Sequence, residues 1–287
     1  MIHQKKLPAI MTPSQDTLKR ISAESIKRFQ KKIFLFYKKN KRDLPWRKTT
    51  DPYKILLSEI MLQQTQVKRV VVYYEKWIAR WFTIHAFASA ALPEVLQMWM
   101  GLGYNTRAIN LHNTAKKIVD IFDGDVLRAM QQYKELPGIG KYTSQAVQIF
   151  STNADLITVD TNIRRIFISE FDLPENISER DLWILAEQCL PVGKSRDWHN
   201  ALMDYGALRL TAHKTGIRPT TRQTQFEGSN RQIRAQILRH VLEKPMTGKE
   251  LTQTLKIDQE RLEPILEKMI NQHILLKKNN TYLLKET

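Results

Sequence analysis

Apolar residues recur at three- and four-residue spacing through most of this chain, and runs of strict apolar-polar alternation are scarce until its end. The spacing predicts helices over residues 22–40, 53–64, 66–80, 93–99, 106–121, 139–151, 161–170, 179–189 and 195–210. In the first of these, Ile26, Phe29, Ile33, Phe36 and Tyr37 form one stripe, and Leu44-Pro45-Trp46 then interrupts the pattern. Asp51 followed by Pro52 is a start signal, an acceptor at the N-cap and a ring whose fixed φ suits the first helical turn. Short connections join these segments, as in a compact all-α body over residues 21–211 behind a flexible tail, residues 1–20. Residues 212–229 are rich in Thr, Arg, Gly and Pro, lose the period and read as a linker. Helical patterns at 230–242, 248–255 and 258–272, then strand-like runs at 273–277 and 282–284, make residues 230–287 a winged-helix-like domain.

Charge changes the picture from architecture to partner. Lys and Arg number 45 against 29 Asp and Glu, a net charge of +16 over 287 residues. A basic excess of that size calls for a polyanion, and the 42% apolar fraction excludes a merely disordered basic tail. No stretch approaches the roughly 18 consecutive apolar residues of a membrane-spanning helix. Residues 1–16 lack the unbroken apolar run of a signal peptide, so the chain is expected to be intracellular, without a membrane partner. The basic residues are spread along the chain rather than gathered on one amphipathic helix, which favours nucleic acid over a lipid surface. A single cysteine, Cys189, rules out an intrachain disulfide and any cluster held by four thiolates.

Candidate chemistry sits at three places. Leu136-Pro137-Gly138-Ile139-Gly140-Lys141 lies between two helical segments: Gly138 can take a positive φ, and Gly140 lets a phosphate approach the N–H groups that open the next helix, with Lys141 adding a cation. Asp160 precedes a helix whose apolar face carries Val159, Ile163, Ile166 and Phe167; helix-end N–H groups are expected to lower its pKa and keep it charged toward a developing sugar cation, although an aspartate there also serves as a plain N-cap. Glu59 is surrounded at helical spacing by Ile55, Leu56 and Leu62; it is either a carboxyl group raised in pKa by burial and able to donate a proton, or a residue at the helix's wet edge. Tyr142 offers a phenol one position after Lys141, a rotation of about 100° on a helix, so the two face different ways.

Leu44-Pro45-Trp46-Arg47, the run Leu57-Ser58-Glu59-Ile60-Met61-Leu62-Gln63-Gln64-Thr65-Gln66-Val67, Gly101-Leu102-Gly103-Tyr104, Arg107, Asn110-Leu111-His112, the hairpin at 136–140 and Asp160-Thr161-Asn162 follow one another in this order. Together they resemble the adenine DNA glycosylases of MutY type, in the helix-hairpin-helix base-excision repair superfamily, over residues 22–207. The resemblance implies a two-lobed helix-hairpin-helix glycosylase fold: a six-helix barrel lobe at about 44–154 and a second lobe from 21–43 plus 155–211, with the target base flipped out of the duplex into a cleft. It implies that Glu59 protonates the adenine leaving group, that Asp160 stabilises the sugar cation or its adduct and helps water attack, and that Asn162 orients Asp160. Tyr142 stands where bifunctional relatives carry a Schiff-base lysine, so a monofunctional enzyme that leaves an abasic site is implied. Arg47, Gln63, Gln64, Tyr104, Arg107, Pro137, Gly138, Ile139, Gly140 and Lys141 fall on the DNA-binding side, with Gln64 and Tyr104 wedging into the duplex. The implied partner is double-stranded DNA containing a mispaired base, acted on by a monomer.

Two departures accompany the resemblance. Leu210 stands where the family begins its four-cysteine iron-sulfur motif, so the chain is expected to work without that cluster or another metal, with Arg209, His213, Lys214 and Arg218 as substitute backbone contacts. The winged-helix-like domain also replaces the nudix-like domain that senses 8-oxoguanine in many members. The expected activity is hydrolysis of the N-glycosidic bond of adenine opposite 8-oxoguanine or guanine. A thymine or uracil glycosylase for G·T or G·U mismatches, and a non-catalytic duplex-binding protein, are the alternatives.

Overall fold

A computed structural model describes residues 21–217 and 225–284. The expected tail at 1–20, residues 218–224 of the expected linker with Arg218, and the last three residues of the C-terminal domain lie outside the described residues. In chain order the helices are α1 (Ala23–Asn40), α2 (Pro52–Leu62), α3 (Val67–Arg80), α4 (Ile84–Ala88), α5 (Leu92–Trp99), α6 (Thr106–Phe122), α7 (Val126–Gln131), α8 (Lys141–Thr152), α9 (Thr161–Glu170), α10 (Glu179–Gln188), α11 (Ser195–Leu208), α12 (Ala212–Thr215), α13 (Asn230–Glu243), α14 (Gly248–Leu255) and α15 (Gln259–Asn271). Three short strands, β1 (Met246–Thr247), β2 (Leu275–Lys278) and β3 (Thr281–Leu284), close the C-terminal region. The molecule divides into one unit of Met1–Asp43 with Thr152–Thr221 and another of Leu44–Ser151 with Arg222–Thr287.

In the first unit, α1 starts on the Ser22 side chain, which accepts from the Ser25 N–H at 3.1 Å. Phe29, Ile33 and Tyr37 are buried, as one stripe of an 18-residue helix must be, whereas Ile26 and Phe36 are only half-buried. Phe29 meets Trp198 of α11 edge-on at 5.5 Å and Phe167 of α9 at 5.8 Å, so three helices share an aromatic core. The segment read as structureless after residue 211 begins with α12, a single turn capped by the Thr211 side chain at its start and by left-handed Gly216 at its end. One turn is too short to carry a period.

In the second unit, α2 is the central helix. Asp51 caps it by accepting from the Tyr53 N–H at 2.9 Å, and every residue from 55 to 61 is buried. Trp77, Trp81, Phe87 and Trp99 pack edge to face around it, with centroids 4.8–5.7 Å apart where Trp77 meets the others. Helix α4, absent from the sequence reading, has five residues and is fixed by a side-chain cap at Thr83; α7, the helical segment expected before the hairpin, has six and is capped by Asp125. The C-terminal domain belongs to this unit and is winged-helix-like: α13, α14 and α15 beside an antiparallel sheet in the order β1-β3-β2. Its β2–β3 turn rests on left-handed Asn279 and Asn280. The two-residue β1 escaped the sequence reading because alternation needs more positions to register.

Candidate active site and DNA-facing surface

Asp160 caps α9. Its Oδ1 accepts from the Ile163 N–H at 2.7 Å and its Oδ2 from Asn162 Nδ2 at 3.0 Å. Asn162 Oδ1 in turn accepts from the Arg165 guanidinium at 2.6 Å, and Arg165 Nε donates to the Leu210 carbonyl at 2.7 Å. A chain of hydrogen bonds thus runs from the residue standing at the expected first cluster-ligand position to the candidate catalytic carboxylate. Arg165 was missed in the sequence, where the second of two consecutive arginines between Ile163 and Ile166 gives no sign that it is buried. Gly206 of α11 packs close to this network: a Cβ there would stand 3.2 Å from both Asn162 Cβ and Ile166 Cδ1, a tight contact that would require these side chains to give by a few tenths of an ångström.

The backbone leading into Asp160 is equally fixed. His199 Nε2 accepts from the Thr158 N–H at 3.1 Å while Nδ1 donates to the Ser195 carbonyl at 2.8 Å, an arrangement open only to the neutral ring. Burial lowers the His199 pKa to about 4.

The expected direction of the Asp160 pKa is corrected by the structure. Burial raises it, and the hydrogen bonds from Ile163 and Asn162 and the charge of Arg165 oppose that rise without cancelling it. A helix N-terminus favours the anion, but removal from water costs more here than the cap returns. The Ile163 N–H, Asn162 and Arg165 thus offset part, and not all, of the cost of burying a charge on Asp160.

Glu59 sits on the central helix α2 with 8% of its surface exposed, which resolves the earlier alternative in favour of burial. Tyr142 is half-buried in the first turn of α8, and Lys141 beside it is exposed. Glu59 and Tyr142 belong to the second unit, Asp160 and Asn162 to the first.

The hairpin before α8 has Gly138 at φ +77°, where an added Cβ would stand 2.9 Å from Asn110 Cβ and Nδ2. Around Gly140 nothing lies within 4 Å of such a Cβ, so its backbone is open to an approaching group. Thr114 of α6 donates to the Pro137 carbonyl at 2.9 Å and Lys117 to that of Glu135, which tie the turn to the core. The helix opens at Lys141 rather than Ile139, and Ile139 is buried, so its side chain does not join the exposed face.

Arg107 also departs from expectation. Its guanidinium turns inward and donates to the carbonyls of Ile60, Met61, Gln63, Leu102 and Gly103 and to Thr65 Oγ1, at 2.7–3.2 Å. It acts as an internal clamp joining the end of α2 to the 101–104 loop, and burial lowers its pKa to about 10. The clamp holds exposed Gln64 and half-buried Tyr104 at φ 54° and 51°, left-handed conformations that cost non-glycine residues energy. Gln63 and Arg47 are half-buried.

No group of three or more His, Cys, Asp or Glu side chains suited to a metal ion occurs among the described residues. Cys189 is buried in the first unit's core, its thiol pushed up to about 12. One thiol cannot supply a four-cysteine cluster, so the donor set of this chain does not fit the family's iron-sulfur group.

Residues 57–188 match the HhH-GPD superfamily of base excision DNA repair proteins. An adenine DNA glycosylase of Mycolicibacterium smegmatis is 37% identical over 229 residues, 72% of this chain and 78% of that protein. Those of Rattus norvegicus and Buchnera aphidicola (strain Bp) are 33% and 39% identical, over 74% and 58% of this chain. The matches span about half the length of these two relatives, 43% and 48%. Among solved structures, a thermostable thymine-DNA glycosylase superposes with a TM-score of 0.62 at 32% identity, over 68% of this chain and 91% of that one. Endonuclease III, at 18% identity and a TM-score of 0.60, shares the fold. With an ordered helix-hairpin-helix, an N-capping aspartate held by its neighbours and these relatives, the chain belongs to the adenine DNA glycosylase family of the HhH-GPD superfamily.

Proposed function

We propose that this protein is a monofunctional DNA glycosylase that hydrolyses the N-glycosidic bond of adenine mispaired with 8-oxoguanine or guanine in duplex DNA. The observation that carries this reading is the fixed Asp160 carboxylate, both of whose oxygens accept hydrogen bonds from its own helix. Such a group can face a sugar cation without first reorganising.

In this reading Glu59, buried among apolar neighbours, gives its proton to the adenine ring. The C1′–N9 bond then breaks, its electron pair leaving with the base, and Asp160 stabilises the positive charge left on the sugar. Water adds at C1′ and loses its proton to a carboxylate, so the product is an abasic site and free adenine. Tyr142, at the position of the lysine in bifunctional relatives, supplies no amine for strand cleavage. Asn162 and Arg165 orient and charge-balance Asp160. The step needs neither a metal nor an iron-sulfur cluster, and the Arg165–Leu210 hydrogen bond supports the 209–217 segment instead.

The 32%-identical thymine-DNA glycosylase favours a second reading, release of thymine or uracil opposite guanine. Duplexes carrying A·8-oxoG, A·G, T·G and U·G, incubated with the protein and then cleaved with alkali, separate the two. Adenine release alone supports the first reading, and pyrimidine release alone overturns it.

A further inference from the structure

A cavity of about 990 Å³ opens within the second unit between the 100–106 loop and helices α13 and α15 of the C-terminal domain. Its charged lining is one-sided: Arg69, Arg231, Arg234, Arg239, Arg261 and Lys268 against Glu260. Among the described residues, Arg234, Arg239, Arg261 and Lys268 are paired with no carboxylate. Arg234 is half-buried, with the Gln272 amide oxygen as its acceptor, and burial lowers its pKa. A cation withdrawn from water without a counter-charge is costly unless an anion arrives.

The wall opposite these cations is stiff. Tyr73 Oη donates to the Met100 carbonyl at 2.6 Å, Arg69 donates to that of Gly101 at 3.3 Å, and the Arg107 clamp holds the next two carbonyls. Aromatic faces complete it: Arg231 lies 5.1 Å over the Tyr104 ring and 5.3 Å from that of Phe226, which is 48% exposed. Guanidinium forks suit phosphate oxygens, and exposed rings suit unstacked bases.

We propose that this cavity extends the DNA-facing surface of Gln64 and Tyr104, both of which line it, and that in it the winged-helix-like domain holds a phosphodiester strand against the 100–106 loop while the exposed ring of Phe226 offers a stacking face to a base. The proposal rests on the reading of the chain as a DNA-acting protein and adds a role for the C-terminal domain. An acidic polypeptide would meet the same cations, but it has less use for two aromatic faces.

The test uses the full chain and a fluorescent mismatch duplex, with affinity measured against salt. Two exposed cations are removed together, Arg239→Gln and Lys268→Gln, with thermal melting as the folding control. Each lost phosphate contact reduces the log–log salt slope by about 0.9, so the double variant should lose nearly two and bind roughly tenfold more weakly at low salt. Phe226→Ala should weaken binding with an unchanged slope. Base release at saturating DNA should match wild type for both variants, because neither touches Glu59 or Asp160. An unchanged slope and affinity in the double variant overturns the proposal, as does a loss confined to poly-glutamate or inorganic phosphate binding. If wild-type protein releases no base from any duplex, the glycosylase reading fails while the salt slope still reads this site.

Discussion

A carboxylate taken out of water is held in its charged form only by what surrounds it, and at Asp160 that support is countable: the backbone N–H groups of Ile163 and Asn162, the Asn162 amide and the Arg165 guanidinium behind that amide. Because burial already raises its pKa, removing part of the support must raise it further. Arg165→Met is predicted to move the acidic limb of the pH profile for single-turnover base release to higher pH, while Arg165→Lys, which keeps the charge, shifts it less. A limb that stays in place in Arg165→Met would mean that Arg165 serves packing alone. Asn162→Ala removes the hydrogen bond itself and should slow release roughly ten- to a hundredfold, since a bond to a charged group is worth roughly 1.5–3 kcal/mol. Duplex affinity measured alongside should change little.

At the scale of elements, the hairpin before α8 carries opposite requirements on its two glycines. Gly138→Ala meets both a left-handed φ and Asn110, and should cost about 1–3 kcal/mol of stability in a denaturant titration. Gly140→Ala meets open space and should leave stability within about 0.5 kcal/mol, yet weaken duplex binding if a phosphate approaches there. The long helices and this turn were legible because local chemistry announces them: Asp51-Pro52 and Asp160 are caps readable in sequence, and apolar stripes of ten or more residues set a period. Helices α4 and α12 and strand β1 were not, being too short to set one. The inward turn of Arg107 and the burial of Arg165 escaped for another reason. Their partners are backbone carbonyls up to 47 residues away in sequence, and carbonyls leave no trace in a pattern of side chains. The cavity beneath α13 depends on how the C-terminal domain meets the 100–106 loop, which is a tertiary fact.

The whole molecule should feel pH through two buried imidazoles, His199 in one unit and His112 in the other, each lowered from 6.5 to about 4, chiefly by burial. Below pH 6.5 the unfolded chain binds protons that the folded chain refuses, so stability present above that pH is lost as pH falls toward 4. The loss is on the order of several kcal/mol for the pair. Asp160, raised rather than lowered, works in the opposite sense and offsets part of it. Denaturant midpoints measured from pH 7 to 4.5 should fall with pH, and His199→Gln, which does not titrate, should flatten the fall. The net charge of +16 makes duplex affinity drop with salt whatever the sequence of the DNA. The central claim is narrower: base release depends on one fixed carboxylate in a protein without a nucleophilic amine at position 142. It is tested most directly by single-turnover release of free adenine from an A·8-oxoG duplex, comparing wild type with Asp160→Asn at DNA concentrations where both are saturated. The account predicts release by wild type without a borohydride-trapped adduct, and loss of release in Asp160→Asn with duplex binding retained; undiminished release by the variant, or a trapped adduct in the wild type, would contradict it.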